Sequence, residues 1–264
     1  MDLLSEIIAK KRIRVKAAKA LLPLDRMRAL AQQKRESAAP HRFLKALSNE
    51  NRVNIIAEFK RRSPSKGDIN IAADPASVGR VYEAGGAAAI SVLTEEDSFA
   101  GSLDDLRAVR HATSLAILRK DFIFEEFQVY ETAAAGADAV LLIVAALDDE
   151  TLKRLRKLAE DDLGLDALVE VHTEAELMRA LRSGAGLLGV NNRDLRTFKI
   201  SIETSLRLGR LAPADAVMVS ESGLTPEEVH KLRAVGYKGF LVGETLMRAD
   251  DPVAALSSFL TKQA

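Results

Sequence analysis

From about residue 55 onward the chain repeats one rhythm: a short apolar run, a polar turn, then a stretch whose apolar residues recur at helical spacing. The apolar runs are 55–59, 88–93, 115–118, 139–144, 167–171, 187–190, 216–219 and 240–242. The helical patterns between and after them are 75–84, 103–110, 125–135, 149–160, 174–182, 201–208, 226–234 and 252–260. Eight strands, each followed by a helix, predict an α/β fold built on a parallel sheet. A doubly wound sheet normally has about five or six strands and often a glycine-rich fingerprint after the first. Here the first strand runs into residues 60–65, which carry no such fingerprint, and a (β/α)8 TIM barrel fits the count better.

The first fifty residues precede strand one and read as helical, with Pro23 and Pro40 as breaks. Leu3, Leu4, Ile7 and Ile8 recur at near-helical spacing beside a basic run at 10–19. Asp2 and Glu6 mark an ordinary helix start rather than a targeting peptide. An appendage of this kind can cap one barrel end or complete a pocket. No low-complexity linker divides the chain, so residues 1–264 are expected to form a single barrel domain, of which about 1–50 is an N-terminal helical extension.

Composition narrows the function classes. The chain has 264 residues, and its 47% hydrophobic content is ample for a core of that size. Lys+Arg and Asp+Glu stand at 38 each, which removes the usual footprint of a nucleic-acid or membrane-surface binder. The absence of Cys excludes a disulfide scaffold, a thiolate-held zinc and a thiol nucleophile, and it suits a reducing compartment. No run approaches the roughly 18 apolar residues of a membrane span. The expectation is a cytoplasmic protein, a monomer or weak homo-oligomer, with a small-molecule partner.

Active sites of such barrels lie at the C-terminal ends of the strands. Side chains alternate across a strand, so Glu58 and Lys60 share a face at the end of strand one. Lys120 ends strand three, Glu170 lies in strand five and Glu221 ends strand seven. Each carboxylate alone could be a rim salt bridge. All four odd strands ending in an ionisable group point instead to one charged ring, because a barrel layer draws its side chains from alternate strands. In a partly dry site such groups shift one another's protonation, so that a Lys can act as general acid and a Glu as general base.

The even strands add Asn191 and Arg193, which share a face after strand six, unless the two Asn simply make a turn. Loops after strands seven and eight often bind phosphate in barrels. Here they carry Ser222-Gly223 and Gly243-Glu244, and Ser63 lies in the basic loop after strand one. His41, His111, His172 and His230 form no metal-ligand pattern, and no dinucleotide, nucleophile-elbow or Walker loop occurs. His172 is expected to cap or line the start of a helix, and the chemistry is expected to need neither metal nor cofactor.

The segment 55–67, IIAEFKRRSPSKG, closely resembles the signature of the indole-3-glycerol-phosphate synthase family. The resemblance continues through SVLTE (91–95), LRKDFI (118–123), LVEVH (168–172), NNRDL (191–195) and SESG (220–223), in order and over essentially the whole chain. It implies a carboxy-lyase of tryptophan biosynthesis that closes, decarboxylates and dehydrates 1-(2-carboxyphenylamino)-1-deoxyribulose 5-phosphate. By this resemblance Lys120 is the general acid and Glu170 serves proton transfer. Glu58 and Lys60 orient the substrate, and Asn191, Arg193 and Glu221 are further polar pocket positions. It places phosphate contacts at Ser63, Ser222, Gly223, Gly243 and Glu244, and the aromatic ring against Phe99, Phe122, Leu141 and Leu195. Glu244 departs from the small hydroxyl residue common there, so only its backbone N–H is expected to contribute. Two other readings stay open from the residues alone: a phosphosugar aldolase or isomerase using Lys120 as a Schiff base, and a non-catalytic phospho-ligand-binding barrel.

Overall fold

In the computed structural model, which describes residues 3–194 and 197–261, eight parallel strands close into a barrel. They are β1 (Asn54–Phe59), β2 (Ala89–Leu93), β3 (Ala116–Lys120), β4 (Ala139–Ile143), β5 (Asp166–Val171), β6 (Leu187–Asn191), β7 (Val217–Glu221) and β8 (Gly239–Val242). Each strand pairs with its neighbours in sequence, and β1 pairs with β8 through Asn54–Gly239 to Ala57–Val242, which closes the ring. The outer helices are α4 (Pro75–Ala84), α5 (Leu103–Ala112), α6 (Glu126–Ala134), α7 (Asp149–Lys157), α8 (Glu174–Ser183), α9 (Glu203–Gly209), α10 (Pro226–Ala234), α11 (Glu244–Arg248) and α12 (Pro252–Leu260), with α1 (Leu3–Leu21), α2 (Leu24–Glu36) and α3 (Arg42–Leu47) ahead of β1. Most barrel helices start where a short polar side chain takes a free backbone N–H. Asp74, Ser102, Asp148, Thr173, Thr225 and Asp251 all do so.

Every residue of β1, β2, β4, β5 and β6 is buried, as expected of a parallel sheet covered on one face by helices and filled on the other by its own side chains. One apolar cluster fills the barrel interior and includes Ile56, Leu118, Leu141, Leu168, Val219 and Leu241. A larger one lies between strands and helices, with Tyr82, Phe127, Leu155, Tyr237 and Phe259 among its members. Some boundaries differ from those expected. The helix after β4 ends at Lys157 and widens into a π turn over Leu158–Asp162. The loop after β1 folds into a small hairpin pairing Arg62–Ser63 with Gly67–Asp68, and the short α11 follows β8 directly.

The N-terminal extension reaches both barrel ends. At the N-terminal end α3 inserts Phe43 and Leu47 into the interior cluster, while Arg42 and His41 pair with Asp138 and Asp166, each at 3.0 Å. At the other end α1 is fastened by Lys11, whose ammonium lies 2.6 Å from Glu96 and 2.9 Å from Asp121. Asp121 is wholly buried and also accepts from Thr94 at 2.7 Å and Arg119 at 3.0 Å. Among the described residues no helix is long and apolar enough to cross a membrane.

Removing one partner from a buried ion pair leaves its counter-charge stranded, whereas a surface pair contributes little. Lys11→Met is therefore expected to lower unfolding free energy in urea by roughly 3 kcal/mol, and Arg14→Met, whose partner Asp97 is on the surface, by less than about 1 kcal/mol. Equal losses would contradict the buried latch.

Candidate active site

Period-two alternation sends one face of each odd strand into the barrel, and along that face an aliphatic residue is followed by a charge. The pairs are Ile56 then Glu58, Leu118 then Lys120, Leu168 then Glu170, and Val219 then Glu221. The aliphatic layer seals the interior and the charged layer floors a cavity of about 460 Å³ at the C-terminal mouth. Lys120 Nζ lies 2.7 Å from Glu221 and 3.3 Å from Glu170, and Lys60 Nζ lies 2.6 Å from Glu58. The three carboxylates are at most 4% exposed. Two glycines, Gly189 on β6 and Gly243 just past the end of β8, leave room for Glu221 and Glu58. A Cβ at Gly189 would overlap the Glu221 carboxylate, and one at Gly243 would lie 2.5 Å from Glu58 Oε1.

The shared lysine makes its two carboxylates unlike. Burial pushes Glu221 up to about 7, with Lys120 opposing and Glu170 reinforcing the rise. Burial would raise Glu170 too, but Lys120, then His172 and an Asn191 hydrogen bond, outweigh it and hold its carboxyl below the usual range. Desolvation pulls on the Lys120 ammonium, yet Glu221, Glu170 and Glu58 together keep it firmly cationic. Two carboxylates driven apart on one lysine make a poised acid and base pair.

One wall is polar. Asn191 Oδ1 accepts from the Ser222 hydroxyl at 2.8 Å and from the Arg193 backbone N–H at 3.0 Å. Arg193 Nη1 donates to Ser65 Oγ at 3.1 Å, tying the loop after β6 to the loop after β1. The second asparagine, Asn192, turns away and bonds Ser220 and Ser205. Ser222 and Gly223 take φ of 69° and 71° in succession, an unusual conformation for the serine, held where the chain leaves β7. Ser63, Ser222, Gly223, Gly243 and Glu244 all line the same cavity. The Glu244 carboxylate is paired with Arg248 one turn on, at 3.3 Å, and Arg248 also lines the cavity. Arg61 in the basic loop pairs instead with Asp105 and stacks over Phe59.

The opposite wall is apolar. Phe99, Phe122 and Leu141 line it, with the two rings 6.3 Å apart and tilted by 39°. Leu195 lies outside the described residues. Phe99 is set by Glu95, a fully buried carboxylate that accepts the backbone N–H groups of Asp97, Ser98 and Phe99. Sequence reasoning missed several residues around and behind the cavity. Leu3, Leu4 and Ile7 of α1 roof the cavity, and Phe198 and Ile200 reach in from the loop after β6. His172 stands behind Glu170 at 3.5 Å. The apolar spacing in α1 was visible, but not which way that face points.

This fold and site define a barrel of the class that carries enzyme sites at its C-terminal mouth, here a small-molecule-sized cavity with a lysine–glutamate floor, one polar wall and one apolar wall. The comparisons are more specific. The family profile described as indole-3-glycerol phosphate synthase matches residues 4–259. A protein of that description from Carboxydothermus hydrogenoformans is 48% identical over 262 residues, covering 97% of this chain and 99% of its own. Another from Kineococcus radiotolerans is 44% identical over 266 residues, covering 100% of this chain and 97% of its own. The chain belongs to the indole-3-glycerol phosphate synthase family. Among solved structures, 3-hexulose-6-phosphate synthase from Salmonella typhimurium shares the barrel, with a TM-score of 0.63, 13% identity, and coverage of 78% of this chain and 96% of its own.

Two outcomes follow from this geometry. Gly189→Ala forces the Glu221 carboxylate off Lys120 and should lower turnover by roughly a hundredfold, the scale of an ångström-sized misplacement, while the far-ultraviolet circular dichroism spectrum stays native. The folded chain also holds a proton on Glu221 up to about pH 7, which an unfolded glutamate gives up near its ordinary value. This group's contribution to stability therefore falls as pH rises through that window. Infrared difference titration should show a protonated-carboxyl band lost near pH 7 and missing in Glu221→Gln; a band unchanged by that substitution would refute the assignment.

Proposed function

We propose that this cavity converts 1-(2-carboxyphenylamino)-1-deoxyribulose 5-phosphate to indole-3-glycerol phosphate, releasing CO2 and water, with Lys120 as the central acid. The observation that carries the reading is Lys120 itself, a buried cation held between two carboxylates of opposite tendency and facing an apolar wall. In this reading Lys120 gives a proton to the ketone oxygen as the ring carbon attacks. An ammonium placed where oxyanion charge develops lowers that barrier directly. Decarboxylation follows because the apolar wall favours neutral CO2 over a carboxylate. Glu170, kept ionised, takes the methylene proton as the hydroxyl leaves, and the aromaticity gained drives this last step. Glu221, close to neutrality in its titration, holds Lys120 in place and shares its proton.

Lys60, paired with Glu58 at the rim, is the cation for the benzoate. The phosphate is assigned to the Ser63, Ser222–Gly223 and Gly243–Glu244 segments, with Asn191 and Arg193 bracing the Ser222 turn. The ring lies against Phe99, Phe122 and Leu141. We place the reaction in the cytoplasm, acting on a free small molecule.

A Schiff-base role needs Lys120 neutral, and the surrounding carboxylates oppose that. Borohydride with substrate should therefore leave no adduct on Lys120. Lys120→Ala should lose at least about a hundredfold in turnover, read by indole fluorescence, and retention of most of the rate would remove its assigned role. Ser222→Asp is compatible with the left-handed backbone there. It should raise the Michaelis constant sharply by repelling phosphate; an unchanged constant would move the phosphate elsewhere.

A further inference from the structure

The proposed reaction has a proton requirement that its own floor cannot meet. The ring's own π pair makes the new bond, and the substrate carboxylate departs as neutral CO2, leaving its electron pair to restore the ring's aromaticity. The ketone oxygen departs as water and needs two protons. The methylene carbon gives up one, which Glu170 can hand to Lys120 across 3.3 Å. One further proton must enter from solution in every turnover, into a site whose carboxylates are almost wholly buried and whose mouth the substrate fills.

We propose that Glu176 and His172 form a proton-entry route to Glu170, separate from the substrate cavity. The His172 ring stands between two carboxylates, with Nε2 at 3.5 Å from Glu170 Oε1 and Nδ1 at 3.3 Å from Glu176 Oε2. Nε2 is buried without a hydrogen-bond partner, and Glu170 is the acceptor it faces. Glu170 lines the cavity, whereas His172 and Glu176 do not. His172 lies in the turn between β5 and α8 and Glu176 in the first turn of α8, beside the exposed Thr173, Glu174 and Ala175, and the Glu176 side chain retains 18% of its surface. Protonation at Nδ1 and release from Nε2 moves one proton inward and leaves the other tautomer, which returns by ring or proton exchange.

A purely structural reason for the imidazole is weak here. Helix α8 is already capped by the Thr173 hydroxyl, which accepts the Glu176 N–H at 3.2 Å, and Glu176 Oε2 accepts the His172 backbone N–H at 2.7 Å without using the ring. The charged groups facing the imidazole are Glu170 on β5, Glu176 on α8 and, further off, Glu221 on β7. Burial lowers its basicity, but these carboxylates outweigh burial and raise it, favouring the protonated ring. His172 is thus a residue that acts through Glu170 and does not touch the substrate.

The route rests on the reading of the reaction given above, and the experiment separates the two. Indole formation by wild type, His172→Gln and Glu176→Gln is followed across pH at several concentrations of imidazole buffer. Both variants should lose about tenfold or more in kcat with KM little changed, and the loss should grow as pH rises. Their kcat should climb with imidazole concentration while that of wild type does not. Variants with the wild-type pH profile and no response to imidazole would overturn the route while leaving the reaction standing. A wild-type protein that forms no indole product would overturn both. Should His172→Gln fail to fold, Glu176→Gln carries the same expectation. With no substrate present, the His172 ring nitrogens followed by NMR should titrate at lower pH in Glu176→Gln than in the wild-type protein; an unchanged titration would also overturn the route.

Discussion

The layer of opposite charges across the barrel mouth is the constraint on which the rest of this structure depends. Taking an ammonium or a carboxylate out of water costs several kcal/mol per ion unless each is met by a well-placed partner. Here Lys120 meets Glu170 and Glu221, and Lys60 meets Glu58. The pairings of Lys120 need β3, β5 and β7 in one register. The charged layer also needs small residues on or just past the even strands beside it, which is why Gly189 on β6 and Gly243 just after β8 stand where a Cβ would collide with Glu221 or Glu58. The aliphatic layer beneath, built from Ile56, Leu118, Leu168 and Val219, excludes water from below and strengthens every interaction above it.

The N-terminal extension serves the same layer from outside. Its third helix plugs the far end with Phe43 and Leu47, and its first roofs the cavity with Leu3, Leu4 and Ile7. Lys11 ties that roof to Asp121, the residue next to Lys120 in the chain. Glu96, the other partner of Lys11, belongs to the loop whose buried Glu95 orders Phe99. Roof, aromatic wall and Lys120 are thereby joined through one buried ammonium. The extension, which reads in sequence as helices able to cap a barrel end or complete a pocket, does both in the structure.

Much of the site was legible because a strand has a period of two. Once 115–120 and 216–221 are read as strands, the faces of Lys120 and Glu221 follow, and alternation of strands in a barrel layer brings them together. Glycine in the loops after β7 and β8 was legible as a candidate anion site, though the collision of Gly243 with Glu58 was not. His172 was read only as part of a helix start. Its approach to Glu170 depends on where the ring turns, and Glu176 one turn later decides that. Phe198 and Ile200 carried no signal, because a loop of mixed polarity has no periodicity from which to read a direction.

By itself the sequence determined the eight strand–helix units, the inward face of each odd strand and the residue types that chemistry could use, since all of these follow from local periodicity and steric rules. Only the tertiary structure decided which carboxylate of the pair on Lys120 keeps a proton and which stays ionised. Glu170 and Glu221 are the same residue type in similar strand positions. What separates them is the sum of burial and neighbouring charge: His172 and an Asn191 hydrogen bond help Lys120 to hold Glu170 down, whereas burial and the charges of Glu170 and Glu58 push Glu221 up. Such sums depend on distances between strands far apart in the chain, and no spacing along the chain encodes them.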